Sequence, residues 1–362
     1  MRKRISAIIN KLNISIMMMI VVLMIGCGQQ AVEAGKTGAA GGEKQGAGSL
    51  SEVLMEVGRS AENVFYSFLE LVSDALGFTA KSTTKKSDVG DHFIALGKKL
   101  GQASEELEEV AKKSEIEESK DGPIAVAIRA VVDTAKTTLS TLKGHLESLK
   151  GIGDDKVVGW AENDQQGIKP ADDGLNKFLN ALQSIVKAAT DAGVLAPKAG
   201  NTTLTVNGVD NKDGAKVLAI DKPGAAVGEK ASLIVSAVSG EEILASIVAS
   251  KEGDQALGAA ADGTTTAMSF AKGGTKDNLS NANTPKAAAV AGGIALRSLV
   301  KDGKLASHND NSEKAVQAAG VTAANKLLVA VEDIIKKTVK NVLEKVKQEV
   351  DKARAPKATG QQ

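Results

Sequence analysis

Residues 89–110 read VGDHFIALGKKLGQASEELEEV. Val89, Phe93, Leu96, Leu100, Ala103, Leu107 and Val110 alternate spacings of four and three. That rhythm places all seven on one stripe of an α-helix, a seam suited to packing against other helices. Glu105, Glu106, Glu108, Glu109, Lys112 and Lys113 fall mostly off the seam. The run covers about three heptads, so the seam belongs to a bundle helix rather than to a long intermolecular coiled coil. Weak self-association into a homo-oligomer is a secondary expectation from the same seam.

The pattern continues on both sides. Upstream, Ser49 and Glu52 form a capping box, followed by Val53, Val57, Ala61, Val64, Phe68, Leu71 and Ala75 at helical spacing, up to Gly77. Downstream, Asp121-Gly122-Pro123 opens a helix with the face Ile124, Ile128, Val131, Ala135, Leu139, Leu142, Leu146 and Leu149, closed by Gly151 and Gly153. Three helices with short connections predict an antiparallel bundle. Residues 151–170 read as a loop or a broken helix. Leu175, Phe178, Leu179, Leu182, Ile185, Val186 and Ala189 give a further helix.

Residues 202–206 (TTLTV) and 216–220 (KVLAI) are the strand candidates and would make one small β-hairpin. Pro223 opens a helix through Val238, and Ser239-Gly240-Glu241-Glu242 is a second capping box. Residues 252–284, rich in Gly, Asn, Thr and Asp, read mainly as loop, and Pro285 opens the next helix. The last helix is capped by Asp310 or Glu313 and carries the face Leu327, Val331, Ile334, Val339, Val342, Val346 and Val350. If continuous over residues 312–354 it is about 60 Å long, with a bend expected at Gly320. The fold class predicted is therefore mainly α, an elongated antiparallel helical bundle with long N- and C-terminal helices, a loop-rich distal end and one small β-hairpin.

The first 26 residues are of a different kind. Arg2, Lys3, Arg4 and Lys11 form a basic start, and residues 14–25 are apolar except for Ser15. That run is too short to span a bilayer, which needs about 20 apolar residues. It has the length of a signal-peptide core and ends at Gly26. Cys27 follows, the only cysteine of the 362 residues, so no disulfide partner exists for it. Leu23-Met24-Ile25-Gly26-Cys27 resembles the lipobox of bacterial lipoproteins, with Met24 where Leu is commoner. The resemblance implies cleavage before Cys27, a diacylglycerol on its sulfur and an acyl group on its amine. Residues 28–48, rich in Gly and Ala, read as a flexible tether of roughly 25 Å mean span. The expected organisation is a signal peptide at 1–26, a lipidated cysteine and tether at 27–48, one helical surface domain at 49–354 and a polar tail at 355–362.

Composition narrows the function. The whole chain has 45 basic and 44 acidic residues. Without the four basic residues of the signal, 41 face 44, a net charge of −3. No positive excess exists to attract nucleic acid. Six Phe, one Tyr and one Trp are too few for aromatic platforms that stack bases or sugars. Ser298-Leu299-Val300-Lys301 matches the S-x-x-K pattern of serine acyl enzymes, but Ser82–Lys85, Ser184–Lys187 and Ser269–Lys272 match equally, and no S-D-N occurs. His92, His145 and His308 lack ligand-spaced neighbours and are expected at the surface. Asp154-Asp155 and Asp172-Asp173 read as solvated acids, and Trp160 as a local plug. No catalytic residue, cofactor or metal site is expected.

NVFYSFLELVSDALGF (63–78), EEILASIVASKEGDQA (241–256), GGIALRSLVKDGKLA (292–306) and the tail from Lys336 closely resemble the variable large proteins. These are surface lipoproteins of relapsing-fever spirochaetes, related to the variable surface antigen of Lyme-disease spirochaetes. The resemblance covers essentially all of the mature chain. It implies a helical body with both ends near the membrane and variable loops at the far end. It implies a lipid anchor in the outer membrane facing outward, host antibodies as partners, antigenic variation as the role, and no catalysis. The alternatives are an adhesin for a host ligand on the same scaffold, and a solute-binding lipoprotein or periplasmic enzyme, which two weak strands disfavour.

Overall fold

The computed structural model describes residues 77–115, 122–309 and 312–354. All lie in the second of the two units into which the chain divides, Gly46–Gln362. Cys27, the tether, the helix expected before Gly77 and the tail fall outside the described residues.

The described part is mostly helical. Its elements are α1 (Lys86–Glu115), α2 (Pro123–Glu147), α3 (Asp172–Asp191), β1 (Thr205–Val206), β2 (Val209–Asp210), a 3-10 helix (Lys212–Leu218), α4 (Gly228–Ser236), α5 (Gly240–Val248), α6 (Ala267–Lys272), α7 (Lys276–Ser280), α8 (Ala287–Leu299) and α9 (Glu313–Arg354).

The heptad reading of α1 holds residue by residue, since all seven seam positions are buried. α2 begins with Pro123 in its first turn, where a missing N–H costs nothing. Its buried stripe includes Ile128, Val132, Ala135, Leu139, Leu142, Leu146 and Leu149, with Val132 in the fully buried place expected for Val131. The two helices are antiparallel. Gly90 lies against Leu149, Gly97 against Leu146, and Glu108 pairs with Arg129 and Lys136. Those two cations hold the Glu108 carboxyl down at about 2, with the Lys136 hydrogen bond the larger cause and the Arg129 bond next.

α9 is the shared support. Its 42 residues run unbroken for about 63 Å. Every residue of its predicted face is buried, from Leu327 to Val350. Early in the helix it meets Gly159 at Gln317 and Gly320, and Gly228 at Ala315. Further along, Asn325 brackets Ala80, accepting its N–H at 2.8 Å and donating to its carbonyl at 2.9 Å. Glu332 accepts the Gly77 N–H at 2.9 Å and pairs with His92 Nε2 at 2.8 Å. Towards its end Lys345 donates to the carbonyl of Ala192.

One expectation needs correction and two need detail. The hairpin exists, but β1 pairs with β2 at once, Val206 opposite Val209. Asn207 and Gly208 take φ of 51° and 78°, as a two-residue type I′ turn requires. Residues 216–220 are not its second strand. Ala215, Val217, Leu218 and Ala219 are all buried, a run with no solvent face to alternate towards, and most of it coils into the 3-10 helix. Residues 252–284 are mainly loop as expected, but the short helices α6 and α7 lie inside them and bury Met268, Phe270 and Leu279. α9 runs unbroken through Gly320, the position of the expected bend. This glycine permits close packing: a Cβ there would lie 2.7 Å from the Cα of Gly159 and from the Ser298 hydroxyl.

Gly to Ala inside an exposed helix gains about 1 kcal/mol. Gly320→Ala is expected to do the reverse here, lowering stability by about 1–3 kcal/mol, because its nearest obstacle is backbone. Urea unfolding followed by circular dichroism reads the effect. A raised midpoint would show that the Gly159 contact does not constrain α9.

Candidate functional site

The fold builds a layer of mutually connected loops, of which the 151–170 segment meets the second turn of α9 at Gly159. Lys222 bonds Asp164, joining the 151–170 segment to the turn before α4. Asp221 accepts from Lys276 at its backbone and side chain, which ties that turn to α7. Gly274 bridges both Ala219 and Leu257, and Gly167 donates to Ala219. Leu204 donates to Asn283, and Asn283 donates to Thr205, which seats the hairpin on the segment before α8. The segments outline one network, with residues 207–210, 251–253, 258–260 and 262–264 exposed on it.

The layer is less loosely held than its composition implies. Ile152, Val158, Leu204 and Ala261 are buried beneath it. Trp160 is gripped by the ammonium groups of Lys156 and Lys304, 4.6 and 5.4 Å from the ring. Lys304 in turn pairs with Glu162 at 3.0 Å. The expected local plug is thus a cation–π clamp.

Under the layer lies α8, all of whose thirteen residues are buried. A buried helix end leaves carbonyls that water cannot reach. Backbone N–H groups of Val300 and Gly159 meet two of them, and Lys86, the first residue of α1, serves a third and the turn just beyond. Its ammonium bonds the carbonyls of Val300 at 2.9 Å, Gly303 at 2.5 Å and Arg297 at 3.4 Å. A cation at a helix C-terminus also meets the negative end of the helix dipole. Burial still dominates and lowers the Lys86 pKa to about 8, with Asp154 and Asp302 partly offsetting it and Arg297 lowering it further. Arg297 is fully buried, and among the described residues no acid pairs with it. Its Nε and Nη2 donate to Ala271 at 3.0 and 2.8 Å, and Nη1 has no hydrogen-bond partner. Burial pushes its pKa down to about 9, which leaves the guanidinium charged at neutral pH.

A groove of about 550 Å³ lies between the start of α5 and α9, with Leu195, Pro197, Leu244, Val329 and Ile334 among its walls. Its one hydroxyl at a helix start, Ser239, is committed to the Glu242 N–H in the capping box expected there. Elsewhere Ser298 is buried against Gly320 whereas Lys301 is exposed, so the S-x-x-K pair does not form a site. Asp155 is exposed and pairs with Lys85, and Asp172 with Lys169. His92 departs from its expected surface position: it is largely buried between Phe78, stacked at 4.7 Å, and Glu332. Sequence spacing could not show this, because Glu332 is 240 residues away. Among the described residues no group of three or more His, Cys, Asp or Glu could hold a metal ion. Cys27 lies outside them.

Fold and surface thus define a helical scaffold that carries a layer of interlocked loops. A family model described as Borrelia lipoprotein matches residues 61–350. The chain is 89% identical to variable large protein 18 of Borrelia hermsii over the full length of both, and 68% identical to variable large protein 25 of that organism, again over both whole chains. The crystal structure of the variable surface antigen VlsE of Borrelia burgdorferi matches with a TM-score of 0.66 at 25% identity, covering 84% of this chain and 99% of that one. The chain belongs to the Borrelia lipoprotein family, and within it to the variable large proteins.

The Lys86 cap yields a prediction with a defined sign. In the unfolded chain this lysine holds its proton up to its ordinary 10.5, and in the fold only to about 8. Between those values the unfolded state binds more protons, so this residue's contribution to stability rises with pH. Lys86→Met should cost roughly 2–4 kcal/mol at neutral pH, through three abandoned carbonyls. The gap between wild type and variant should widen by up to roughly 3 kcal/mol from pH 8 to 10.5. Urea midpoints across that range measure it, and a gap that narrows would contradict the assignment.

Proposed function

We propose that this chain is a lipid-anchored outer-surface antigen that acts in antigenic variation and evasion of the host immune response. The observation that carries this reading is the full-length 89% identity to a variable large protein. The fold match to a variable surface antigen supports it. On this reading Cys27 becomes the mature N-terminus, bearing a diacylglycerol on sulfur and an acyl chain on nitrogen. One chain alone anchors only marginally, at about 0.8 kcal/mol per buried methylene, and several make the attachment stable. The tether lets the helical domain stand off the outer membrane, and host antibodies are its partners.

The arrangement of α9 suits such a role. Its early turns meet the 151–170 segment of the loop layer, and the helix runs on towards the C-terminus for about 60 Å. With the C-terminal end and the tether directed to the membrane, the loop layer faces outward. Exposed loop positions can change sequence with little loss of core. Buried ones such as Val158 and Phe270 cannot. The reading therefore confines variation to the outer positions of the layer.

Two experiments test it. Cys27→Ser should abolish lipid labelling and leave an uncleaved precursor or a released protein, and unchanged labelling with membrane retention would sink the anchor. Antibodies that bind live cells should map to the exposed loop positions, whereas antibodies to residues 327–350 should prefer denatured protein. Equal binding of both groups to intact cells would show the orientation to be wrong.

A further inference from the structure

We propose that Asn207 is a site of spontaneous covalent modification, converting to aspartyl and isoaspartyl forms by attack of its own backbone. The chain contains one Asn-Gly pair, Asn207-Gly208, and the fold sets it at the tip of the hairpin. Both residues are exposed. A Cβ on Gly208 would find no atom within 4 Å, so nothing crowds its amide nitrogen. In a two-residue hairpin the N–H of the second turn residue lies outside the strand ladder. Asparagine is among the chemically labile side chains, and a following glycine leaves the attacking nitrogen unshielded.

The step balances within the chain and water. The Gly208 nitrogen forms a bond to Asn207 Cγ, and the bond from Cγ to the side-chain nitrogen breaks. That nitrogen leaves as ammonia, taking up the proton lost from the Gly208 amide. Water then opens the five-membered ring. Cleavage at the side-chain carbonyl leaves an aspartate in normal linkage, and cleavage at the main-chain carbonyl leaves an isoaspartyl linkage.

The left-handed conformation at Asn207 must relax before the nitrogen can reach Cγ, and the structure makes this relaxation local. Each strand has only two residues. Below them the hairpin is fixed: Leu204 is buried and bonded to Asn283, and Asn211 is buried and donates to Leu204. Opening is thus restricted to residues 205–210, the kind of low-cost local event that need not disturb the core. The neighbouring asparagines are built differently. Asn211 is buried, with its side chain donating to Val209, and precedes Lys212. Asn201 accepts from Lys286 and precedes Thr202, whose branched side chain shields the next nitrogen.

Conversion adds a negative charge to the tip, and the isoaspartyl form inserts an extra backbone carbon that a type I′ turn cannot hold. If the protein is a surface antigen, as proposed above, one gene product presents more than one tip. That consequence rests on the functional reading, but the chemistry does not.

The full chain, freshly purified, is incubated in mildly alkaline buffer at body temperature and sampled over days. Trypsin releases residues 199–212, which hold Asn201, Asn207 and Asn211 in one peptide, so each serves as a control for the others. Position 207 should convert several-fold faster than 201 or 211, with an isoaspartyl product identified by electron-transfer fragmentation. Isoaspartyl methyltransferase should label aged wild type severalfold more than aged Asn207→Gln, whose remaining label comes from Asp-Gly pairs such as Asp262-Gly263. Conversion at 207 no faster than at 201, or equal labelling of Asn207→Gln, would overturn the proposal. Neither readout depends on whether the protein is an antigen. Loss of binding to aged protein by antibodies against the fresh tip tests that consequence separately.

Discussion

The architecture depends on satisfying one buried helix end. α8 has no solvent-facing residue, so its last carbonyls must be met from within the protein. Lys86, the first residue of α1, meets the Arg297 carbonyl and, at shorter distance, those of Val300 and Gly303 in the turn that follows, while Val300 and Gly159 donate to Leu296 and Ser298. This single ammonium joins the α1–α2 pair to the core of the loop-bearing half. A neutral donor with one N–H could not serve three carbonyls, and an arginine fork would need a planar set of acceptors. The cost is a cation held out of water, visible in its lowered pKa. Arg297, one turn before the same helix end, adds a second buried cation, aimed at Ala271. Together they fix where α6, α8 and the segment after α8 sit.

From that fixed centre the loop layer follows. α9 passes so close to Gly159 that the contact tolerates no side chain on either partner. Bridges from residues 161 and 168 to Leu305 and Lys304 then hold the 151–170 segment across the strand-like stretch after α8. The layer is an ordered surface whose exposed positions are single residues and short runs between buried ones. Such a surface can alter what it presents without altering what it rests on.

Much of this was legible in the sequence, and the physical reason is periodicity. The seams of α1 and α9 and the Ser239 capping box appeared as spacing patterns, because a long helix with one buried stripe records its burial at three- and four-residue intervals. The errors fall where burial is complete or contacts are distant. Ala215, Val217, Leu218 and Ala219 are buried around the half-buried Lys216, so this largely apolar run resembles a strand. α6 and α7 are too short to show a period, and Gly and Asn around them suggested a loop. The role of Gly320 was not legible, because a glycine's reason lies in the neighbour it admits, here Gly159. Lys86, Arg297 and the His92–Glu332 pair gave no local signal, since their partners lie more than 25 residues away. The motif GGIALRSLVKDGKLA, quoted first for its resemblance, proves to hold Arg297, the carbonyls that Lys86 caps, and the Lys304 that grips Trp160.

Protease treatment of intact cells, with the cuts located by mass spectrometry, tests the central claim most directly. The account predicts early cleavage within the exposed positions 207–210, 251–253, 258–260 and 262–264, with α9 between Leu327 and Val350 left whole. Resistance of the entire chain on intact cells, or first cuts in α9 while those positions survive, would contradict it.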